Sequence, residues 1–510
     1  MDHIYVRLWF VTVGTILFLT ACSASPSSNS AAAGASETSQ PESLLEVPGA
    51  IEALSAAPGD RSVVVSFSAP NTDTVDRYEY SVNDGPWQEL TESLLAPGPP
   101  LSFTLLDLPN GIPVSIRVRA VNAGGPGPEG ESKTAIPMEP QQLTSNRNHS
   151  LVLDGARFFA WGGNNEGQLG IGSTNAVNAP ALVQPPVSFT HISTGDEHTL
   201  ALDEDGNVWL WGYNFQGQLG NGTSNAPNAP SIVMVPGEPD LQFVRIAAGG
   251  AFSLAIDSSG HLWSWGSDQY GALGDGGGRS DLTSPAKISG ADNTVFTAVS
   301  AGYVHGLALD EDGNLWSWGH NFDGQLGNGK DGNGEDVFAA TRVEVAGDPA
   351  FADVKAGFYG SAALDREGNL WGWGASLADA DSTTAVPTQL TDTNNGDPEF
   401  VRLAAGFRHA LAVDDQGNLW TWGRNSSGQL GLGDTNNRDE PTEVTFPDRP
   451  IFKRIAAGDG FSVALDNDGY LWAWGADGFG EAGTGRLGRG GGDVGNTNQP
   501  ILVSSIEIDF

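Results

Sequence analysis

Asp310-Glu-Asp-Gly-Asn-Leu-Trp-Ser-Trp-Gly319 is a turn running into a strand. Asp and Asn bond to nearby backbone amides, and Gly supplies the positive φ that a tight hairpin needs. In Trp-x-Trp the two rings fall on one face of the following strand, where they pack between neighbouring sheets. The pattern recurs along the chain, with Trp-Gly pairs ending at Gly162, Gly212, Gly266, Gly319, Gly374, Gly423 and Gly475. The intervals are 50, 54, 53, 55, 49 and 52 residues. Such spacing predicts radial repetition, because a sheet this small covers its faces only by stacking on its neighbours. An all-β chain is expected, with a seven-bladed β-propeller over residues 140–510.

Each unit keeps one order: an apolar strand, Ala-Gly, two variable residues, a second strand, the acidic turn, then Trp-x-Trp-Gly. After the Trp-Gly pair come Gly167-Gln-Leu-Gly170, Gly217-Gln-Leu-Gly220, Gly271-Ala-Leu-Gly274, Gly324-Gln-Leu-Gly327 and Gly428-Gln-Leu-Gly431, with a weaker Gly480-Glu-Ala-Gly483. The fifth unit lacks this segment. Ala-Gly-x-x-His-x-Leu-Ala, Trp-Gly and Gly-Gln-Leu-Gly together resemble the repeat of the regulator of chromosome condensation family, from about residue 140 to the carboxyl terminus. The first unit begins at the turn before His149 and lacks the preceding apolar strand, which is expected to be supplied from elsewhere. Pro500-Ile-Leu-Val503 and Ile506-Glu-Ile-Asp-Phe510 match the phase of Pro180-Ala-Leu-Val183 and Phe189-Thr-His-Ile192, so the carboxyl-terminal strand is expected to complete blade one.

His149, His198, His305 and His409 share one repeat position, which Phe252, Gly360 and Phe461 fill elsewhere. Apolar substitutes at equivalent places indicate packing rather than metal binding. Asp203-Glu-Asp205 and Asp310-Glu-Asp312 lack the further oxygen ligands, including a following glutamate, that calcium needs. No cofactor or metal is expected.

Residues 47–138 carry period-two apolar runs, Ser62-Val-Val-Val-Ser-Phe67, Arg77-Tyr-Glu-Tyr-Ser-Val82, Leu101-Ser-Phe-Thr-Leu105 and Val114-Ser-Ile-Arg-Val-Arg-Ala120, which predict a small β-sandwich. Leu108-Pro-Asn-Gly111 and the Gly124-Gly-Pro-Gly-Pro128 segment resemble the end of a fibronectin type III domain, with Phe67 at its core tryptophan position and Val114 at its tyrosine corner. A spacer or secondary adhesion surface is expected of it.

Residues 1–21 have the order of a secretory signal, weakly basic and then apolar. Leu19-Thr-Ala-Cys22 resembles the lipobox of bacterial lipoproteins, which implies lipidation of Cys22, the only cysteine. Ser23 implies outer-membrane sorting in that family. Residues 22–46, rich in Ser and Ala, read as a flexible tether. A lipid-anchored cell-envelope location follows, on the outer membrane or cell surface.

Acidic residues outnumber basic ones 62 to 24, a formal charge of −38, which repels a phosphate backbone and makes nucleic acid a poor partner. A monomer is expected. No Gly-x-Ser-x-Gly elbow, His-Glu-x-x-His helix or phosphate loop occurs. A sialidase-like glycosidase is the enzyme alternative, from turns such as Asp205-Gly-Asn-Val-Trp209, but its clustered arginines are missing. The family resemblance implies guanine-nucleotide exchange as another alternative, since the family includes a nuclear exchange factor as well as a secreted inhibitor of β-lactamases.

Loops escape the packing rules that hold the repeated Trp, Gly and Leu. The residue pairs after each Ala-Gly, Asp196-Glu197, Gly250-Ala251, Tyr303-Val304, Phe358-Tyr359, Phe407-Arg408 and Asp459-Gly460, are expected around one mouth of the ring. Tyr, Phe and Arg are frequent interface anchors, so Tyr303, Phe358, Tyr359, Phe407 and Arg408 form the candidate site for an extracytoplasmic protein, or a glycan, bound without catalysis.

Overall fold

The computed structural model describes residues 47–503, except 60–61, 71–74, 91–100, 106–113, 136–140, 236–237, 239–240, 278–279, 292–293, 376–382, 394–395, 479–485, 489–494 and a few single positions. The signal segment, Cys22, the tether and the Leu108-Pro-Asn-Gly111 segment lie outside the described residues. The chain divides into two compact units, Met1–Glu139 and Pro140–Phe510.

In the first unit two antiparallel sheets share one core. Glu52–Gly59, Ser62–Ser68 and Leu101–Leu105 form one; Gln88–Leu90, Arg77–Val82, Val114–Asn122, Gly125–Pro126 and Lys133–Ala135 form the other. Alternation along Val114–Asn122 buries Val114, Ile116, Val118 and Ala120 against Val63, Val65, Phe67 and Phe103. Phe67 is fully buried and meets Tyr78 edge-on at 5.0 Å. On the outer face of the second sheet Arg119 pairs with Glu79 at 2.7 Å, and half-buried Trp87 covers that guanidinium at 4.1 Å.

Among the described residues the second unit is a series of seven four-stranded antiparallel sheets, each with its strands in chain order. This is the build of a β-propeller. In the fourth sheet the order is Phe296–Ala301, His305–Asp310, Leu315–Gly319 and Val337–Arg342. The second strand of every sheet is buried along its whole length, as His305–Asp310 is, because neighbouring sheets cover both of its faces. Fourth strands such as Val337–Arg342 are largely open to solvent.

The recurring sequence motifs connect one sheet to the next. The second ring of each Trp-x-Trp is fully buried, and among the described residues indole N–H groups reach back to the preceding sheet's loop: Trp211 donates to the Gln168 carbonyl, Trp265 to Gln218 and Trp373 to Gln325, each at 2.8 Å. The last Gly of that loop lies against the same indole. A Cβ on Gly220, whose φ is +66°, would sit 2.8 Å from Trp265 Nε1. The first Trp of each pair donates instead to the Asp of its own turn, as Trp316 does to Asp310 at 3.0 Å.

Two expectations are corrected. The inner strand of the first sheet is Gln141–Ser145, paired antiparallel with His149–Asp154, whereas Thr497–Leu502 pairs with Leu471–Gly475 at the edge of the seventh sheet; residues 506–510 lie outside the described residues. Gln141–Ser145 lacks a full apolar face because Gln142 and Thr144 bond to the second sheet, while Leu143 packs into the core shared by the first and seventh sheets. Gln142 Nε2 donates to the Thr190 carbonyl at 2.7 Å and its Oε1 accepts the Ile192 amide at 2.9 Å, while Thr144 meets the Thr194 hydroxyl at 2.8 Å. The seventh loop is the other correction. Arg486-Leu487-Gly488, not the Gly480 segment, takes the place of Gln-Leu-Gly: Trp161 donates to the Arg486 carbonyl at 3.0 Å, Leu487 is fully buried, and Gly488 lies against the Trp161 indole. This joins the seventh sheet to the first, and Val152 and Trp161 share a core with Val463, Leu465 and Ala473.

Candidate functional site

Each sheet presents an inner turn, between its first two strands, and an outer loop after Trp-Gly. Both lie on one face, because the residue after the pair bonds back to the inner turn. The His320 amide donates to the Val304 carbonyl at 3.0 Å, Ala375 to Tyr359 at 2.9 Å and Arg424 to Arg408 at 2.7 Å. The inner turns are laced to one another. The Asp196 amide donates to the Gly249 carbonyl, Gly250 to Gly302, Phe358 to Gly406 and Phe407 to Gly458, at 3.1–3.3 Å. Close approach explains the Gly of Ala-Gly, since a Cβ on Gly249 would lie 2.7 Å from the Gly302 carbonyl oxygen and one on Gly406 2.8 Å from that of Gly458.

All five candidate residues come together on this mouth. Tyr303 and Phe358 stack with centroids 3.8 Å apart and planes 12° apart, and Phe358 meets Phe407 at 4.3 Å. Tyr359 stands edge-on to Phe407 at 5.3 Å and carries the Arg408 guanidinium over its ring at 5.2 Å. Each is half-buried. Burial, aided by Tyr303, holds the Tyr359 phenol above its ordinary value against the opposing pull of Arg408.

The other half of the mouth is ionic. Asp196 is 7% exposed, its Oδ1 has no hydrogen-bond partner, and its Oδ2 faces Arg147 Nη1 at 3.9 Å. Burial pushes its carboxyl up to about 7, opposed by Arg147 and reinforced by Glu197 and Asp459. Burial also raises Asp459, with Arg486 and Arg147 pulling the other way. Arg486 donates to the Asp459 carbonyl at 3.2 Å.

Immediately behind the turns, the histidines form links between sheets. Ser361 Oγ donates to the Gln325 carbonyl at 2.8 Å, so its lone pair accepts from His305 Nε2 at 3.0 Å. The same link joins His149 to Thr199, His198 to Ser253 and His409 to Ser462. Where the histidine is replaced the hydroxyl changes too: Phe252 faces a chain with Gly306 at the matching position, and Gly360 one with Ala410. Phe461 is matched by Ser150, whose hydroxyl bonds to Ser145 instead. Burial lowers His149, His198 and His305 to about 3 and His409 to about 4. These rings stay neutral, and their partners make them structural.

The acidic turns are equally committed. Asp310 accepts from the amides of Asp312 and Asn314, the Asn314 side chain and Trp316. Among the described residues no group of three or more His, Cys, Asp or Glu is placed to hold a metal ion.

Sequence reasoning passed over Arg147, Asp196 and Asp459 as a charged group, and Arg486 with them. It also passed over an aromatic set on the outer loops of the same face. Tyr213 meets Phe215 at 5.1 Å, and Tyr270 meets His320 at 4.2 Å, with Phe322 beyond. Phe215 is 69% exposed. The signal was present as Trp-Gly-Tyr-Asn-Phe215 and Trp-Gly-His-Asn-Phe322. Its Asn is structural, with Asn321 Oδ1 accepting the Leu326 amide at 3.0 Å, which leaves the flanking rings outside.

The chain matches the family model described as RCC1-like domain over residues 157–507. It is 30% identical to the mouse regulator of chromosome condensation over 382 residues, 69% of this chain and 87% of that protein. It is 32% identical to the Ultraviolet-B receptor UVR8 of Arabidopsis thaliana over 237 residues, 46% of this chain. It spans about half the length of that receptor and of the Xenopus laevis RCC2 homolog, 52% and 50%. Among solved structures, Prp20p from Saccharomyces cerevisiae, described with its binding to Gsp1p and histones, has a TM-score of 0.58 at 23% identity, covering 71% of this chain and 88% of its own. Human WBSCR16 has a TM-score of 0.58 at 24% identity, covering 66% and 89%. At these identities the structural likeness concerns the fold.

Proposed function

This chain belongs to the RCC1-like domain family, and from that premise we propose that it is a noncatalytic binding protein of the cell envelope. Its seven sheets are the blades of a closed seven-bladed propeller, and its ligand is an extracytoplasmic protein held on the mouth by Tyr303, Phe358, Tyr359, Phe407 and Arg408. One observation supports this most: three neighbouring turns, whose sequences the repeat leaves free, bring four aromatic rings and one guanidinium into a single half-buried group. Large rings with few rotors make efficient interface anchors. In this reading residues 47–138 are a fibronectin type III-like spacer, residues 22–46 a tether, and Cys22 the lipidated anchor.

The test is capture from cell-envelope extract by the chain from residue 47 onward, beside the variant Tyr303→Ala, Tyr359→Ala, Phe407→Ala, Arg408→Ala. A partner held by the first and lost by the equally folded second is expected. Equal capture by both overturns the site. Incorporation of labelled fatty acid into the full chain, lost in Cys22→Ser, tests the anchor.

Family membership also favours a second reading, nucleotide exchange on a small GTPase, the activity that the family resemblance implies. Accelerated release of labelled GDP from such a GTPase would support exchange over simple binding.

A further inference from the structure

The mouth has two unlike halves. Tyr303, Phe358 and Phe407 stack along one side, and Asp196, Arg147 and Asp459 occupy the other. Between Asp196 and Tyr303 stands Gly250, which contributes no side chain; a Cβ there would meet a Tyr303 ring carbon at 2.6 Å. The two halves are close enough for the Asp196 charge to act on the Tyr359 phenol.

The Asp196 carboxylate is the unusual element. It is buried, one oxygen has no partner, and the nearest cation, Arg147, stands at the long distance of 3.9 Å with half of its side chain exposed. Arg147 is shared, since it also faces Glu197 at 3.7 Å. A buried carboxylate without full compensation is costly, and a cation brought against it in a water-poor site is bound strongly. Aromatic faces beside it add cation–π attraction.

We propose that the mouth is a receptor for a lysine or arginine side chain presented by the partner protein, which displaces Arg147 from Asp196 and lies against Tyr303. This deepens the binding reading above and rests on it. A cationic partner segment also suits the formal charge of −38, which would speed its approach. Arg147 serves as an internal stand-in, closing the site until the partner's cation replaces it.

The probes are the blocked pentapeptides Ala-Ala-Lys-Ala-Ala, its Arg and Gln counterparts, and the neutral trisaccharide of N-acetylglucosamine, titrated by calorimetry against the full chain. The Lys and Arg peptides are expected to bind about tenfold more tightly than the Gln peptide. Asp196→Asn removes that preference with its melting temperature retained. Arg147→Gln strengthens binding of the Lys peptide, because the competing guanidinium is gone; a purely structural Arg147 would leave it unchanged or weaken it. Equal affinity for the Lys and Gln peptides, tighter binding of the trisaccharide, or a preference that survives in Asp196→Asn overturns the proposal. If Asp196→Asn still captures the envelope partner while the fourfold alanine variant does not, the mouth binds by its aromatic half alone, and only the cation receptor is refuted.

Discussion

The link between His305 and Ser361 offers a quantitative test of how the sheets are joined. In Ser361→Ala the His305 Nε2–H, fully buried, loses its acceptor at 3.0 Å. An unsatisfied buried donor costs about 1–3 kcal/mol. The Gln325 carbonyl loses the serine but keeps Trp373 at 2.8 Å, so about 2 kcal/mol is expected for this variant. In His305→Phe the serine still donates to Gln325 at 2.8 Å, and a ring of that shape already occupies the same repeat position at Phe252, so about 1 kcal/mol is expected. The double variant leaves no orphaned donor and is expected to cost about 1 kcal/mol, not the sum of about 3. Urea unfolding followed by tryptophan fluorescence measures all three, because 13 of the 15 tryptophans lie in the propeller unit. Costs that add to within about 0.5 kcal/mol would show the two residues to be independent and refute the link.

Three further outcomes follow from the same framework. His149, His198 and His305 titrate near 3 and His409 near 4 when folded, against 6.5 ordinarily. The unfolded chain therefore binds more protons below about 6.5, and stability present above that pH is lost as pH falls toward 3, by about 2 kcal/mol per histidine at pH 5. Asp196, raised to about 7, works in the opposite direction, as do the carboxyls of Asp323 and Asp459, which burial also raises, but the four histidines outnumber them, so the melting temperature should drop between pH 7 and pH 5; an unchanged value would contradict burial of the rings. Gly220→Ala should cost about 2 kcal/mol or more, from its φ of +66° and the Trp265 indole in its path, whereas Gly172→Ala, at φ +75° with nothing within 4 Å, should cost only about 1 kcal/mol; equal shifts in urea midpoint would discount the packing contribution. Gln142→Leu removes both bonds to the second sheet and should lower stability by about 2 kcal/mol, while an unaffected midpoint would mean that Gln141–Ser145 does not hold the first sheet.

The sequence alone determined everything that repeats. Trp-x-Trp-Gly, the Asp turn and Gly-Gln-Leu-Gly are short-range patterns whose geometry follows from alternation, turn chemistry and positive φ, and each has its expected place in the described sheets. That Tyr303, Phe358, Tyr359, Phe407 and Arg408 would meet was also legible, because equivalent positions of successive repeats must be neighbours. Where the chain departs from its own pattern, only the tertiary structure decided. Gln141–Ser145 carries no apolar alternation, since Gln142 and Thr144 bond to the next sheet and only Leu143 is apolar, and Arg486-Leu487-Gly488 stands out of register with the other loops until Trp161 is seen to reach it. The charged half of the mouth belongs here as well. Arg147 and Asp459 are more than 300 residues apart in the chain and act on one carboxylate, Asp196, only because the last sheet packs against the first, a long-range contact that no local pattern encodes.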